Sequence, residues 1–152
     1  MRVKHRSVDE RQVMDYTIRC MTIEDHKEAL QLWQAAEWIS LSETDDREPM
    51  KLFIERNPGL SLVARDGDRL IGTILCSHDG RRGFLTHLAV DERYRRQGVG
   101  STLVERCLAS LAREGIVKCN IFFIEENRVG IDFWARQGFE MLQHFGWMQK
   151  GI

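Results

Sequence analysis

The segment from Val90 to Ser101, VDERYRRQGVGS, joins a strand-like run to a helical pattern and determines how the rest of the chain is interpreted. Gly98 and Gly100 allow the backbone to turn tightly and approach a ligand, and the first N–H groups of the following helix lack intrahelical partners. These donors and the helix dipole favour an anion. Guanidinium groups suited to phosphate oxygens lie beside them, at Arg93, Arg95 and Arg96. The segment predicts a pyrophosphate site, with a simple turn and helix cap as the alternative.

This segment differs from two well-known nucleotide-binding loops. It lacks the third glycine and the parallel βαβ context of the dinucleotide fingerprint, and it lacks the Lys-Ser/Thr pair of a P-loop. We therefore expect neither a nicotinamide nor ATP there. A formal net charge of -1 gives no broad attraction for nucleic acid or an anionic membrane, and the apolar runs fall well short of the ~20 residues that span a bilayer. We expect no nucleic acid and no membrane among the partners.

The composition is typical of one globular domain. The chain has 152 residues, of which 43% are hydrophobic and 30% charged. We expect a single domain over 15–152 and a flexible, charge-rich arm over 1–14. The cysteines lack the close paired spacings of zinc sites, and no secretory leader precedes them. This predicts reduced thiols, no metal and a cytoplasmic location for a protein with Cys20, Cys76, Cys107 and Cys119.

Before the glycine segment, the hydrophobic period changes repeatedly between that of strands and that of helices. A strand is predicted at Tyr16–Cys20, and Thr22 with Asp25 forms a capping-box pattern that begins a helix extending to about Trp38. A second short helix around Met50 to Ile54 precedes the stop signal Asn57-Pro58-Gly59. Three antiparallel strands follow, joined first by an Asp-Gly hairpin turn and then by a glycine turn. They span Ser61–Arg65, Leu70–Cys76 and Phe84–Val90.

After the glycine segment, the same alternation continues. A helix from Val99 ends at Gly115, and a β-rich run covers Val117 to Ile124. A helix ending near Gly138 and a final strand over Phe139 to Met148 complete the chain. The predicted order, β-α-α-β-β-β-α-β-α-β, indicates a mixed α+β fold.

From Tyr16 to Met148 the sequence resembles the GNAT superfamily of N-acetyltransferases. The segment Arg95-x-x-Gly98-x-Gly100 after a strand is similar to the family's Gln/Arg-x-x-Gly-x-Gly/Ala signature. Asn127, followed by a helix and Gly138-Phe139, is similar to its C-terminal pattern. The order of elements agrees as well. The resemblance implies a mostly antiparallel central sheet of six to seven strands flanked by about four helices.

The resemblance also implies acetyl-CoA as the acyl-donor cosubstrate, with no metal. The pantetheine arm would lie between two splayed strands and pair with strand backbone, the loop amides would hold the pyrophosphate, and an asparagine would contact the arm. On this sequence, the implied cofactor-binding residues are Leu88, Ala89, Val90, Arg95, Arg96, Gln97, Gly98, Val99, Gly100, Ser101, Asn127 and Trp134.

The implied reaction is direct transfer of the acetyl group to an amine of a small molecule or a peptide, and a homodimer is an open option. Trp134 stands where many members have a tyrosine that acts as general acid, so the proton donor is open too. The candidates for the general base are His87, Glu125 and Glu126, with an ordered water as the alternative and a structural role for His87 equally open. Two other functions stay in competition, a CoA-binding sensor or regulatory module with reduced catalysis and a binding protein without a cofactor.

Overall fold

A single open sheet organises the molecule, whose computed structural model describes residues 15–152. Its five strands follow one another in the order β1-β2-β3-β4-β5. All neighbouring strands are antiparallel except β4 and β5, which are parallel. The strands are β1 Thr17–Cys20, β2 Leu62–Asp66, β3 Arg69–His78, β4 Gly83–Val90 and β5 Cys119–Ile121.

Four α-helices in the described residues flank this sheet. The first two lie between β1 and β2, the third between β4 and β5, and the fourth after β5. They are α1 His26–Ala35, α2 Arg47–Arg56, α3 Val99–Arg113 and α4 Arg128–Arg136. Short 3-10 turns precede three of them, at Ile23–Asp25, Glu43–Asp45 and Glu92–Tyr94. The mixed α+β class predicted from the order of elements is confirmed.

The predicted hairpins are formed. Asp66 pairs with Arg69 across a two-residue turn, in which Gly67 has φ 54°. In the turn between β3 and β4, the Asp79 carboxylate accepts hydrogen bonds from the N–H groups of Arg81 and Arg82, each at 2.8 Å. Both turns are therefore set by local chemistry, which is why the sequence predicts them.

Two hydrophobic clusters lie on opposite faces of the sheet, because successive strand residues point to opposite sides. On one face, the buried side of α3 packs on β2, β3 and β4 through residues such as Leu103 and Ile74. On the other, α1 and α2 pack through Trp33, Ala29 and Met50. The molecule thus has a helical layer on each side of the sheet, and the two layers meet the same strand, β4.

The predicted helix ends are mostly confirmed. Asp25 accepts a hydrogen bond from the Thr22 N–H at 2.9 Å, as the capping-box pattern predicts. Gly115 and Gly138 follow α3 and α4 with φ of 81° and 88°. The prediction for α1 was too long, since the helix ends at Ala35. The backbone of Ala36 is already extended, and the residues that follow it have no buried helical face.

The prediction of six to seven strands was wrong, because the described residues form five. The run predicted as Val117 to Ile124 is a strand only at Cys119–Ile121. The predicted final strand, Phe139 to Met148, is not formed. A turn in which His144 has φ 69° interrupts this run, and no strand partner is found for it among the described residues. Most of its large apolar side chains are exposed, at Met141, Leu142, Phe145, Trp147 and Met148. A strand is stable only where a neighbour completes its ladder.

The remaining predictions concern the first residues, the cysteines, membrane spans and metal ligands. The predicted arm, residues 1–14, lies outside the described residues. Within 15–152, the four cysteines are free thiols, no helix is long and apolar enough to cross a membrane, and no group of three or more metal-ligating side chains is found.

Candidate active site

At one edge of the sheet, a gap between β4 and β5 begins partway along β4. Their pairing ends at Leu85 opposite Ile121, although β4 continues to Val90. After Ile121 the chain leaves the sheet as an irregular segment that leads to α4. The second half of β4, from Thr86 to Val90, is therefore paired with β3 on one edge, and residues 15–152 provide no strand partner on the other. An extended ligand can pair with such an edge.

The turn between β4 and α3 presents backbone donors at the end of this gap. Gly98 has φ 82° and Arg96 has φ 59°, so two left-handed residues turn the chain just before α3 begins. The first helical hydrogen bond runs from the Thr102 N–H to the Gly98 carbonyl at 3.0 Å. The preceding N–H groups belong to the first turn of the helix and lack intrahelical partners. The turn thus has the geometry of an anion-binding helix N-terminus.

Open space surrounds this turn. A Cβ added to Gly98 would have no atom within 4 Å. Of the three arginines, Arg93 pairs with Asp91 at 3.1 Å, and Arg95 Nε donates to the Val90 carbonyl at 2.9 Å. Arg96 makes no hydrogen bond or ion pair with the described residues and is exposed. Two of the guanidinium groups thus shape the turn, and Arg96 is the one available to a ligand.

Helix α4 packs against the start of α3 and the end of β4. A Cβ on Gly100 would lie 3.6 Å from the Phe133 ring and 3.8 Å from the Val90 side chain. Gln137 Nε2 donates to Ser101 Oγ at 3.0 Å. Helix α4, the beginning of α3 and the end of β4 therefore form one rigid corner.

Asn127 and Trp134 have structural contacts in this corner. Asn127 Oδ1 accepts a hydrogen bond from the Gly130 N–H at 2.9 Å and so caps α4. The Trp134 ring packs edge-on against Phe133 and Phe139, with ring centroids 5.2 Å and 5.1 Å away. The structure thus gives both residues structural roles, and their contact with a cofactor stays a prediction.

His87 occupies an irregular position on β4. The register between β3 and β4 shifts there, and His87 has φ 50°, a left-handed conformation that is uncommon for a histidine. Its carbonyl accepts a hydrogen bond from Thr73 Oγ1 at 2.9 Å, and Thr73 in turn accepts one from Trp33 Nε1 at 2.8 Å. The Trp33 ring also packs edge-on against the imidazole at 4.7 Å. The bulge is thus held by both backbone and ring contacts.

The His87 ring faces a carboxylate that comes from a different part of the chain. Its Nε2 lies 2.8 Å from Asp45 Oδ1, but the N–H direction is poorly aligned for a hydrogen bond. Asp45 is itself held in place, because its carbonyl lies 2.7 Å from His26 Nε2 and its Oδ2 accepts from the Ser42 N–H at 2.9 Å. Burial lowers the pKa of His87, while the Asp45 carboxylate opposes that change. The ring is consequently neutral near pH 7, as a general base must be.

The other candidate bases lie elsewhere. Glu125 and Glu126 are exposed in the turn between β5 and α4, beyond the gap. Tyr94, the remaining phenol near the turn, donates to Asp66 Oδ2 at 2.7 Å, and this hydrogen bond raises the pKa of Tyr94. Tyr94 is therefore a poor proton donor. The sequence offered His87 as a candidate base but gave no sign of its contact with Asp45, whose sequence signal is its capping-box spacing from Ser42.

The partly unpaired β4, the left-handed turn and the N-terminus of α3 follow one another along the chain, an arrangement that differs from a P-loop. Residues 27–139 match the Acetyltransferase (GNAT) family, and the chain belongs to this family. It is an acyltransferase by class, as the resemblance implied.

Individual relatives cover most of the chain. Acetyltransferase SG1711 of Sodalis glossinidius is 27% identical over 124 residues, which are 82% of this chain and 87% of that protein. N-alpha-acetyltransferase 30 of Schizosaccharomyces pombe is 30% identical over 104 residues, 65% of this chain and 69% of that protein. The crystal structure of PaiA N-acetyltransferase from Thermoplasma acidophilum in complex with coenzyme A shares the fold. It has a TM-score of 0.75 at 24% identity, covering 88% of this chain and 94% of that one.

Proposed function

We propose that the chain is an acetyl-CoA-dependent N-acetyltransferase that moves an acetyl group directly to a primary amine, and that residues 15–152 are its single catalytic domain. One observation carries the proposal. The unpaired half of β4 leads directly into a left-handed glycine turn and a helix N-terminus. An extended thioester arm and a diphosphate need these two features in this order.

The residues of the turn and of β4 have separate tasks in this proposal. The N–H groups from Arg96 to Ser101 hold the diphosphate, with the Arg96 guanidinium beside it. The main chain of Leu88, Ala89 and Val90 holds the arm, although the Val90 carbonyl already accepts from Arg95. Asn127 and Trp134 line the same path from the α4 side. The fit is supported by the open space at Gly98 and by the coenzyme A complex of the Thermoplasma neighbour.

The cosubstrate supplies the activated thioester, and the protein residues orient it and move protons. The new C–N bond forms as the C–S bond breaks, and the proton leaves the amine nitrogen for a base. We propose His87 as the base, because it lies on the bulge in the second half of β4 and its imidazole is neutral near pH 7. A main-chain N–H near Leu88 stabilises the carbonyl oxygen as it gains charge. Glu125 or Glu126 acting through water is the competing assignment.

The acceptor is a primary amine of a small molecule or a peptide. The likeness to N-alpha-acetyltransferase 30 makes peptide α-amines the first class to test. A homodimer and a cytoplasmic location stay predictions from the sequence.

Release of free thiol from acetyl-CoA in the presence of an amine panel tests the proposal. The panel should contain peptides that differ in their first residue, polyamines, free lysine and aminoglycosides. Thermal unfolding with and without acetyl-CoA reports binding separately, with stabilisation of about 2.7 kcal/mol at a hundredfold excess over the dissociation constant. Stabilisation together with amine-dependent thiol release is the expected result. Absence of both excludes acyl transfer.

A second function is favoured by one observation, the tryptophan at the usual position of the proton-donating tyrosine. In that case the protein is a CoA-binding sensor or regulatory module. It then shows thermal stabilisation by acetyl-CoA but releases no thiol with any amine of the panel.

A further inference from the structure

Asp45 reaches the proposed reaction site from the segment that connects α1 to α2. It lies in the 3-10 turn Glu43–Asp45, far from β4 in sequence, yet its Oδ1 is 2.8 Å from His87 Nε2. Its side chain is 8% exposed and that of His87 is 18% exposed. Both groups are therefore mostly desolvated, while the imidazole keeps some access to solvent.

One oxygen of the Asp45 carboxylate is held by the main chain, and the other faces the imidazole. Oδ2 accepts from the Ser42 N–H, while the main-chain carbonyl of Asp45 lies 2.7 Å from His26 Nε2 and holds the backbone in place. A capping box of this kind needs only one carboxylate oxygen. The other oxygen, Oδ1, faces His87. The capping role alone leaves this orientation unexplained.

The backbone of His87 also has an unusual conformation that the surrounding contacts maintain. A non-glycine residue with φ 50° costs free energy, and such residues persist where surrounding contacts hold them. Here the contacts are the hydrogen bond from Thr73 to the His87 carbonyl and the Trp33 ring against the imidazole. The bulge directs the imidazole towards the α1–α2 layer, where it contacts Asp45.

We infer that Asp45 is a positioning residue for His87, holding the imidazole at the β4 bulge and stabilising the imidazolium that forms when the ring takes the acceptor's proton. The inference rests on the proposed function, since it concerns the same site. With Nε2–H directed at Asp45, Nδ1 is the nitrogen that accepts the proton, and it makes no hydrogen bond with the described residues. The Nε2 contact is poorly aligned for a hydrogen bond in this structure, as catalytic hydrogen bonds often are before substrate is bound.

The charge balance is simple. The proton moves from the amine nitrogen to Nδ1 and then to water or to the departing thiolate, while Asp45 stays ionised throughout. The groups that face His87 are Asp45 from the 3-10 turn, Trp33 from α1 and Thr73 from β3, with His26 behind Asp45. Asp45 is the charged group among them that acts on His87.

The test compares Asp45→Asn with Glu43→Gln. An asparagine oxygen can still accept from the Ser42 N–H, so the cap is kept, while the carboxylate next to His87 is lost. Glu43 is exposed in the same turn, and its replacement removes one negative charge without touching His87. Circular dichroism and thermal unfolding confirm that each variant is folded.

The first readout is independent of activity. Side-chain NMR titration follows the histidines, and His87→Asn identifies the His87 signal while keeping a residue that tolerates a left-handed backbone. We expect Asp45→Asn to lower the pKa of His87 and Glu43→Gln to leave it unchanged. An unchanged pKa in Asp45→Asn overturns the inference.

The second readout is the pH profile of kcat/KM for thiol release. We expect Asp45→Asn to reduce kcat/KM about tenfold or more and to move its acidic limb to lower pH, because the base has become weaker. In the His87→Asn background, Asp45→Asn should have no further effect, since Asp45 acts through the imidazole. A loss of rate without a shift of the acidic limb, or an additive loss in the double variant, contradicts the inference.

The two proposals fail in distinguishable ways. If the wild-type protein releases no thiol with any amine, the proposed function is wrong, while the NMR titration still decides whether Asp45 controls His87. If the wild type is active and the variants show no change in pKa or pH profile, only the positioning role is wrong.

Discussion

At the scale of the residue, Gly98 is the position at which the proposed diphosphate site can be tested most directly. With φ 82° it adopts a conformation that side chains disfavour, and it faces open space. We expect Gly98→Asp to abolish binding of acetyl-CoA, because the carboxylate occupies and repels the diphosphate position. Titration calorimetry measures this.

Gly98→Asn is the matched control, since asparagine has the same shape, carries no charge and tolerates left-handed backbone. It should bind more weakly than the wild type but measurably. Undiminished binding by Gly98→Asp would refute the placement of the diphosphate at this turn.

Trp134 is the second decisive residue, because an indole N–H is too weak an acid to protonate a thiolate. We expect Trp134→Tyr to turn over faster than Trp134→Phe, since the two differ by one hydroxyl group that can donate a proton. Steady-state kcat with a saturating amine gives the comparison.

Both replacements should lower stability, as each leaves part of the space between Phe133 and Phe139 unfilled. Equal kcat in the two variants would mean that the leaving thiolate needs no protein donor.

At the scale of the element, α4 is held at its start by a contact that leaves no room for a side chain. A Cβ on Gly130 would lie 2.2 Å from Asn127 Nδ2 and 2.7 Å from its Cγ. An alanine in a helix usually stabilises it relative to glycine. Here we expect Gly130→Ala to destabilise the protein by about 1 kcal/mol, because Asn127 must move and lose its cap.

Urea unfolding measures this change. The control is Asn127→Ala, which removes the cap directly, and in that background Gly130→Ala should regain the normal stabilising effect of alanine. Stabilisation by Gly130→Ala alone would show that the cap is not important for α4.

At the scale of the whole molecule, two mostly buried titratable groups, Asp25 and His87, lie where the α1–α2 layer meets the sheet and respond to acid. Burial raises the pKa of Asp25. The hydrogen bonds from Arg19 and the Thr22 N–H, together with the charge of Arg65, lower it by more, so the net change in pKa is downward. Its contribution to stability is present above its unfolded pKa of about 3.8 and is lost as pH falls below that value. His87 acts at higher pH, because its lowered pKa makes the unfolded state bind the proton first.

We therefore expect the free energy of unfolding to decline in two stages on acidification, starting near pH 6.5 from His87 and again below about pH 4 from Asp25. Urea unfolding at a series of pH values shows this. His87→Asn should remove the first stage and Asp25→Asn should weaken the second.

Asp132→Asn serves as the control, since Asp132 is exposed and makes no hydrogen bond or ion pair in the described part of the chain. It should leave both stages in place. If the free energy of unfolding falls in one stage only, and His87→Asn leaves this pH dependence unchanged, the imidazole of His87 is not buried and neutral in the folded protein.

The features that the sequence predicted correctly are those that depend on local patterns. The Asp66–Arg69 turn, the capping box at Thr22 and the glycine ends of α3 and α4 all depend on neighbours within a few residues. The final strand failed as a prediction because strand propensity says nothing about whether a partner edge exists.

The sequence by itself determined the class of the fold, the position of the glycine turn before α3 and the family, since these depend on periodicity and on a short contiguous motif. Only the tertiary structure decided which side chains meet at the bulge of β4. Asp45 and His87 come from separate elements that contact the same strand, and no local pattern links them. The physical reason is that catalytic geometry depends on how two helical layers pack on one sheet, and packing is a property of the whole chain.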